Sequence, residues 1–293
     1  MDLKFKKISI EDKSIFDKYF SSKEMQISEY TFTNLFIWRN TRQIEFCEYN
    51  GGLIILANYN NDKYFLPPIG FTDYKKIIFD LMEYAKKNNI PPVIKRLCEV
   101  KTNLLKDSGL DIIEDRDNFD YVYLSNDLAH LGGRKYSPKR NFITNFFSEY
   151  EFKFQKYEAK FAEQCLILAE DWINKKETED KSLHNELLAI KELINNQHIL
   201  NTDGCIILVD NKVEAFCFGE RLDSKTYVVH FEKANSDLKG IYQTINKLHI
   251  EKIVDGKFKY VNREQDLGIA GIRKAKESYF PTKMIKKYNI ALA

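Results

Sequence analysis

The sequence predicts a layered α/β protein whose two halves repeat one order of elements, each half forming a mixed, mainly antiparallel sheet. Its 293 residues exceed the usual size of one domain, and its composition of 44% apolar and 30% charged residues is typical of a globular chain. Helical and strand periodicities alternate in both halves in the order helix, helix, strand, strand, strand, helix, strand, helix, strand.

The first half contains a strong hairpin signal, Asn50-Gly51-Gly52, between two runs of strand-forming residues. Asp73 and Thr72 are candidate caps for the helix that follows the third strand. The elements predicted for this half are helices 11–20 and 28–38, strands 42–49, 53–59 and 63–68, helix 73–88, strand 92–97, helix 99–108 and strand 118–124.

The second half repeats this order, with Asn211-Lys212 predicted to join its first two strands. In its last helix, Ile272 and Ala275 are expected to pack inward. The elements predicted for this half are helices 158–175 and 183–195, strands 205–210, 213–219 and 226–234, helix 240–254, strand 258–262, helix 271–278 and strand 283–292.

Between the halves, Ser137 before Pro138 predicts the start of a connecting helix. Its expected buried side is Phe142, Ile143, Phe146, Phe147 and Tyr150. The predicted domains are 1–125, which has a degenerate binding loop, a linker with its helix at 126–150, and 151–293, which holds the active cleft.

Composition limits the function classes. The net charge of +2 gives no global field for nucleic acid or membrane, although basic clusters occur at 134–140 and 271–288. The five cysteines form no Cys-x-x-Cys pair, which favours reduced thiols over disulfides or zinc ligands, and no metal-ligand spacing occurs. Without a predicted signal peptide or membrane span, the expected location is cytoplasmic.

The element order of each half is that of a GNAT-type acyltransferase domain, so the sequence predicts a tandem pair. Four stretches carry a more specific resemblance: YTFTNLFIWR (30–39), GRKYSPKRN (133–141), HFEKANSDLKGIYQTIN (230–246) and NREQDLGIAGIRKAKESYFP (262–281). They resemble a bacterial family of soluble proteins similar to the C-terminal domain of phosphatidylglycerol lysyltransferase. The resemblance covers nearly the whole chain.

This resemblance implies two GNAT-like domains akin to those of the Fem peptidyltransferases. It also implies transfer of an aminoacyl group from aminoacyl-tRNA, which in characterised members goes to a lipid head group. Those members carry transmembrane helices before the catalytic domain, and none is predicted here. The acceptor therefore stays open between a lipid head group and another amine or hydroxyl.

In GNAT domains the donor's pyrophosphate lies on a glycine-containing loop before a helix. The equivalent loop of the second half, 235–243, starts at Asn235 and has one glycine, Gly240, while that of the first half has Pro67 and Pro68, which lack an N–H donor. We therefore expect no coenzyme A, although Asn235 and Gly240 remain candidates for contact with another donor.

Carboxylates cluster where strand 258–262 ends. Glu264 and Asp266 are candidates for a general base or for binding a substrate ammonium, with Arg263 as a further binding residue. Alternatively, either carboxylate caps the next helix or pairs with Arg263. Tyr279 is a candidate proton donor to the leaving group, as GNAT enzymes often have a tyrosine near this point, or else a core residue.

Further binding candidates lie on the strand 226–234 and the last helix. Strand alternation places His230 and Glu232 on one face, where they can perform acid–base chemistry, hold an ammonium or serve as structural groups. Lys274 and Lys276 diverge on the helix, so at most one of them can reach a donor phosphate.

The linker contributes the last candidates, Tyr136, Lys139 and Arg140. Cations at a helix N-terminus oppose the helix dipole, which favours either an anion bound there or a salt bridge to a domain. Together with residues 273–287, this cluster is expected to follow an RNA phosphate backbone.

The sequence thus predicts an acyltransferase that moves an aminoacyl group from aminoacyl-tRNA to an unidentified amine or hydroxyl, without a cofactor or metal. Two alternatives stay open: a non-catalytic ligand-binding module of the same fold, and an N-acetyltransferase that uses acetyl-CoA.

Overall fold

A computed structural model describes residues 1–20, 27–175 and 181–292. The chain forms two compact units, and both are discontinuous in sequence. The first unit comprises Met1–Asp120, Gln265–Arg273 and Met284–Ala293, and the second comprises Tyr121–Glu264 and Lys274–Lys283. The boundaries predicted at residues 125 and 150 stay a prediction.

The strands of the described residues are β1 (Lys6–Lys7), β2 (Glu45–Tyr49), β3 (Gly52–Tyr59), β4 (Asp62–Phe65), β5 (Val93–Cys98), β6 (Leu110–Glu114), β7 (Asp120–Leu124), β8 (Phe152–Lys156), β9 (Asp203–Val209), β10 (Lys212–Arg221), β11 (Thr226–Ala234), β12 (Tyr260–Asn262), β13 (Lys283–Ile285) and β14 (Lys287–Leu292). The α-helices are α1 (Lys13–Phe20), α2 (Phe32–Ile37), α3 (Tyr74–Lys87), α4 (Glu99–Asn103), α5 (Ser125–His130), α6 (Ser137–Glu149), α7 (Ala162–Asn174), α8 (Lys181–Leu200), α9 (Ile241–His249) and α10 (Ala270–Glu277).

The first sheet has the order β1-β2-β3-β4-β5-β14-β6, and its pairs are antiparallel except β4–β5. Its hairpins close where left-handed backbone is tolerated: Asn50 and Gly51 join β2 to β3, and Asn60 and Asn61 join β3 to β4, all with positive φ. Helix α3 buries its predicted face in a core with apolar residues of β3 and β5.

The second sheet has the order β13-β7-β12-β11-β10-β9-β8, in which β11 and β12 pair in parallel. Helices α7 and α9 pack on β10 and β11, and α6 packs on α9. The mixed α/β class with two mainly antiparallel sheets is thereby confirmed.

The sheet membership of two strands differs from the prediction. Residues 118–124 were assigned to the first half, yet β7 lies in the second sheet, and β14 at the end of the chain lies in the first. The single strand predicted over 283–292 is divided into β13 and β14. Local alternation predicts that a segment is a strand, but it does not specify the partner with which that strand pairs.

Several local predictions are corrected. The turn between β9 and β10 is Asp210–Asn211 rather than Asn211-Lys212, because both turn residues need positive φ, which Asp and Asn tolerate. Helix α6 buries only Ile143 and Phe146 of its five predicted residues. The short elements β1, β6, β8 and α5 were not predicted, and α4 ends at Asn103 rather than at residue 108.

The predicted helix over 240–254 ends as an α-helix at His249 and continues as a π-helix over Ile250–Val254. The five cysteines are all free thiols, and Cys98 is the one that is not fully buried. Within the described ranges, no helix has both the length and the apolar character needed to cross a bilayer.

Candidate active site

Strand β11 brings the first two site residues to one face of the second sheet. Alternation along this strand puts His230 and Glu232 on the same side, as predicted. Strands β10 and β12 flank β11 on either edge, so groups from both neighbours can reach these side chains.

Glu232 forms the centre of a largely buried polar group. Its Oε1 accepts a hydrogen bond from Arg263 Nη2 at 3.1 Å, and its Oε2 accepts one from Asn246 Nδ2 at 2.7 Å. The side chains of Glu232 and Arg263 are 12% and 13% exposed. Among the described residues, Arg263 Nη1 and Asn246 Oδ1 are buried and have no hydrogen-bond partner. The group therefore has one donor and one acceptor unused.

Aromatic rings and a lysine surround this ion pair. The Arg263 guanidinium lies 5.0 Å from the centre of the Tyr279 ring and 5.9 Å from that of Tyr123. Lys139 Nζ lies 4.2 Å from the centre of the Tyr279 ring. Tyr279 is the residue predicted from the sequence to be a candidate proton donor. Tyr279 is buried, and burial raises the pKa of its phenol well above the usual value, although the Arg263 charge opposes this shift.

Lys139 differs from a solvated lysine. Its Nζ donates to Ser278 Oγ at 2.7 Å. Burial lowers its pKa, the nearby Arg263 charge lowers it further, and Glu232 opposes both effects. An ammonium that is partly desolvated beside another cation is well suited to contact negative charge.

Backbone contacts hold the aromatic residues in place. Tyr136 OH donates to the carbonyl oxygen of Tyr279 at 3.0 Å, and Tyr123 OH donates to that of Lys276 at 2.8 Å. Lys276 Nζ in turn donates to the carbonyl oxygen of Arg263 at 2.5 Å. Tyr136 and Lys276, predicted as binding residues, thus contact the backbone of site residues. Lys274 is exposed.

His230 lies between two carboxylates. Its Nδ1 is 2.9 Å from Glu264 Oε1 and its Nε2 is 2.8 Å from Glu220 Oε1. Burial lowers the pKa of His230, but hydrogen bonds to both carboxylates outweigh burial and raise the pKa to about 9. The imidazolium therefore persists at neutral pH. The carboxylate of Glu264, a candidate base, is hydrogen-bonded to this cation. The backbone of Glu264 has a positive φ of 55°.

Asp266 lies in the first unit and is fully enclosed. Its carboxylate accepts from Arg116 Nη1 at 3.1 Å, from Arg273 Nε at 2.9 Å and from the backbone N–H of Gly268 at 2.8 Å. The side chain is 0% exposed. In this arrangement Asp266 stabilises a tight turn and pairs with two guanidinium groups, and it has no open side toward solvent.

The loop from Asn235 to Gly240 bonds mainly to itself. The backbone N–H of Asn235 donates to Glu214 O, and that of Asp237 donates to Asn235 Oδ1. The N–H of Leu238 donates to Asn235 O, and that of Ile241 donates to Leu238 O. A Cβ on Gly240 would lie 2.2 Å from the carbonyl oxygen of Phe142, so this glycine permits close approach of α6. Three of the six amides from Asn235 to Gly240 are therefore already engaged.

The rest of the predicted linker site has structural partners. Arg140 Nη1 donates to the carbonyl oxygens of Leu131 and Gly133 at 2.5 and 2.7 Å, beyond the end of α5. The expected inward packing of Ile272 and Ala275 on α10 is wrong, since both residues are exposed. A helix of eight residues that is exposed along most of its length buries no continuous apolar face.

Asn246, Tyr123 and Glu220 belong to the site but were not predicted from the sequence. Asn246 is a polar residue at a buried position of α9, one helical turn after Tyr242, and buried amides usually serve a neighbouring polar group. Tyr123 and Glu220 carried no such signal, because their roles depend on strand pairing. Among the described residues, no group of three or more His, Cys, Asp or Glu side chains is arranged to hold a metal ion.

Chemically, the second unit combines a carboxylate, two cations and a protonated phenol around unused hydrogen-bonding groups. Such a set can hold an ammonium, offset charge on an oxygen and donate a proton.

Several solved structures are similar to this chain. A conserved protein of unknown function from Bacteroides thetaiotaomicron VPI-5482 has 30% identity to this chain, with 100% of each chain covered and a TM-score of 0.92. The C-terminal domain of a putative lysylphosphatidylglycerol synthetase from Agrobacterium fabrum has 11% identity, with 97% of this chain and 93% of that chain covered and a TM-score of 0.69. FemX has 8% identity, with 98% and 96% covered and a TM-score of 0.58.

The chain therefore shares the fold of these structures, FemX included. The family described as phosphatidylglycerol lysyltransferase, C-terminal, matches residues 20–291, and the chain belongs to this family. This confirms the resemblance found in the sequence. None of the curated proteins matches the chain.

Proposed function

We propose that this protein is an aminoacyltransferase that moves an aminoacyl group from aminoacyl-tRNA to an amine or hydroxyl acceptor. Membership of the family supports acyl transfer in general. The observation that carries the finer proposal is the Glu232–Arg263 pair, because Arg263 Nη1 and the adjacent Asn246 Oδ1 remain unpaired among the described residues. Buried polar groups without partners are costly unless a ligand meets them.

An aminoacyl ester presents an α-ammonium and a carbonyl oxygen. The Glu232 carboxylate, with 12% of its side chain exposed, binds the ammonium through its remaining lone pairs. Arg263 Nη1 and Asn246 Oδ1 are enclosed in the free protein, so they meet the carbonyl oxygen and the ammonium once the side chains around them shift. Charge-assisted hydrogen bonds of this kind are about twice as strong as neutral ones.

In the transfer step, the acceptor's nitrogen or oxygen bonds to the acyl carbon, and the bond from that carbon to the ribose oxygen breaks. Arg263 and Lys139 offset the negative charge that develops on oxygen. Tyr279 remains protonated because burial raises its pKa, and it donates its proton to the leaving ribose oxygen. The proton lost by the acceptor restores the phenol.

The loop before α9 supports a donor other than coenzyme A. Three of its six amides bond within the loop or to Glu214, and Gly240 faces the backbone of α6 rather than an open space. We therefore expect calorimetric titration with acetyl-CoA to give a Kd above about 10 μM, which corresponds to a binding free energy smaller than about 7 kcal/mol in magnitude. Tighter binding would contradict this and would favour the acetyl-CoA alternative.

Transfer assays test the proposal directly. Labelled aminoacyl-tRNA is incubated with the protein and with acceptors that include phospholipid head groups and free amines. Tyr279→Phe is expected to lower the rate about 10²- to 10⁴-fold, the usual contribution of a proton donor. Tyr260→Phe is the matched control, since Tyr260 lies in β12 of the same unit outside the cluster, and it should leave the rate unchanged.

Glu232→Gln should weaken donor binding, because it removes the charge that holds the ammonium. Loss of transfer in both Glu232→Gln and Tyr279→Phe, with Tyr260→Phe active, would support the assigned roles. A folded protein that binds aminoacyl-tRNA but transfers nothing to any acceptor would leave the non-catalytic binding module as the better description.

A further inference from the structure

Phe280 directly follows the buried Tyr279, but its side chain is exposed to solvent. Its side chain is 44% exposed, whereas Tyr279 is 6% exposed. Its φ is 55°, in the left-handed region. After a helix this conformation is usually adopted by Gly or Asn, and a residue before proline, as Phe280 is, normally takes an extended conformation. The backbone of Phe280 is therefore strained, and the strain leaves a large ring facing solvent.

The exposed ring has a fixed orientation. The buried Tyr136 ring meets Phe280 edge to face, with centroids 5.5 Å apart and an interplanar angle of 86°. The backbone N–H of Phe280 donates to Glu277 O at 2.9 Å, which holds the turn. Consequently the ring packs against Tyr136 on one side and is partly open to solvent.

Positive charge lies beside this ring. Lys135 Nζ is 5.2 Å from the centre of Phe280, and both Lys135 and Arg134 are exposed. An aromatic face next to cations is the arrangement by which proteins bind single-stranded nucleic acid, since the base stacks on the ring and the phosphate meets the cation.

The ring is also close along the chain to the proposed chemistry. Tyr279, its neighbour, contacts Arg263 and Lys139 within the second unit. In an aminoacyl-tRNA the reacting ester is on the terminal ribose, which carries the terminal base. A base stacked on Phe280 would place that ribose toward Tyr279.

We propose that Phe280, with Lys135 and Arg134, is the stacking platform for the terminal base of a single-stranded RNA 3′ end. This inference rests on the proposed function, because aminoacyl-tRNA is the donor named there. It adds a binding subsite and its chemistry: a nucleobase on an aromatic face and a phosphate beside two cations.

The test uses a short RNA ending in CCA and a matched RNA whose last nucleotide is abasic. Wild-type protein should bind the first RNA about 5- to 150-fold more tightly than the second, the range that stacking of one base contributes. Phe280→Asn should lose this preference. It should also keep or raise the melting temperature, because Asn tolerates positive φ.

Phe147→Ala is the control, since Phe147 is an exposed aromatic residue (50%) of the same unit, and it should retain the wild-type preference. Titration with acetyl-CoA and with adenosine monophosphate tests whether the site binds free adenine nucleotides rather than RNA. Binding of these nucleotides that depends on Phe280, with no dependence for RNA, would overturn the RNA assignment.

Failure of this inference differs from failure of the proposed function. Aminoacyl transfer that proceeds normally in Phe280→Asn, with an unchanged preference for the terminal base, overturns the platform and leaves the transferase. A preference that depends on Phe280 without transfer to any acceptor supports the platform and overturns the transferase.

Discussion

At the scale of residues, each unit holds a buried cluster of charges, and the two clusters differ in access. In the first unit Lys287 Nζ lies 2.7 Å from both Glu29 and Asp120, and these side chains are 0%, 2% and 0% exposed. In the second unit Glu232 and Arg263 remain 12% and 13% exposed. The second cluster is therefore partly open to solvent, whereas the first is fully enclosed.

Asp266 provides a residue-scale prediction about stability. Asp266→Ala should destabilise the protein by about 1–3 kcal/mol, because it removes a fully buried carboxylate that accepts hydrogen bonds from the Gly268 N–H and from two partly exposed arginines. Urea denaturation measures the change. Asp117→Ala is the control: Asp117 also pairs with Arg273 but is 60% exposed, so its loss should cost less than about 1 kcal/mol. Unchanged stability with loss of ligand binding would instead support the direct role in the site that the sequence suggested.

His230 provides a prediction about pH. Its pKa in the folded protein is about 9, above the ordinary 6.5, because hydrogen bonds to Glu220 and Glu264 outweigh burial. A raised folded-state pKa means that the stabilisation is fully present below about pH 6.5 and is lost as pH rises through about 9. The stability advantage of wild type over His230→Gln should thus shrink by about 3 kcal/mol across this window. Urea denaturation at pH 6.5 and pH 9.5 measures it, and a constant difference would contradict the charged imidazolium.

At the scale of elements, the loop before α9 shows how one glycine can serve packing rather than ligand binding. Gly240 has φ 94° and would place a Cβ against the α6 carbonyl of Phe142. Helix α6 packs on α9, and the first residue of α9 follows this glycine directly. The loop's conformation is therefore determined by contact between two helices of the second unit.

Gly240→Ala is expected to destabilise the protein by at least about 1–3 kcal/mol, from the positive φ alone, with a further cost from the clash. Gly271→Ala is the matched control, because a Cβ there meets open space in α10, and alanine should stabilise that helix by about 0.5–1 kcal/mol. Chemical denaturation of both variants gives the comparison. If Gly240→Ala kept its stability and lost donor binding, the glycine would be a ligand contact.

At the scale of the whole molecule, many basic side chains are engaged internally. Lys287 is fully buried, Arg273 pairs with Asp266 and Asp117, and Arg140 donates to backbone carbonyls. The predicted phosphate-following surface over 134–140 and 273–287 therefore has fewer available cations than the sequence suggested. Arg134 and Lys135 remain exposed.

Salt dependence tests the electrostatic part of RNA binding. Reversing the charge of Arg134 and Lys135 to Glu should weaken binding and flatten the slope of log affinity against log salt by about 1.4, from about 0.7 per phosphate contact on a single strand. Gel-shift titrations at several salt concentrations measure the slope. Charge reversal at Lys86 and Lys87, two adjacent exposed lysines at the end of α3, should leave it unchanged. An equal loss in both variants would indicate a nonspecific effect of net charge.

The sequence alone determined the class and many local elements of this protein. Asn50-Gly51 specified a hairpin, the helical spacing specified α3 and α9, and four motifs specified the family. Strand alternation also placed His230 and Glu232 on one face. These features depend on backbone preferences and periodicity over a few neighbouring residues, which a sequence states directly.

Only the tertiary structure decided which sheet the last strand of each half joins and which charged groups form pairs. The local pattern of strands β7 and β14 does not specify their partners, which follow from chain topology. Asp266 is enclosed by arginines 7 and 150 positions away, while Glu232 meets Arg263 31 positions later and stays partly open. Burial and pairing across such separations depend on the packing of whole elements, and they separate a structural carboxylate from one that can bind a substrate.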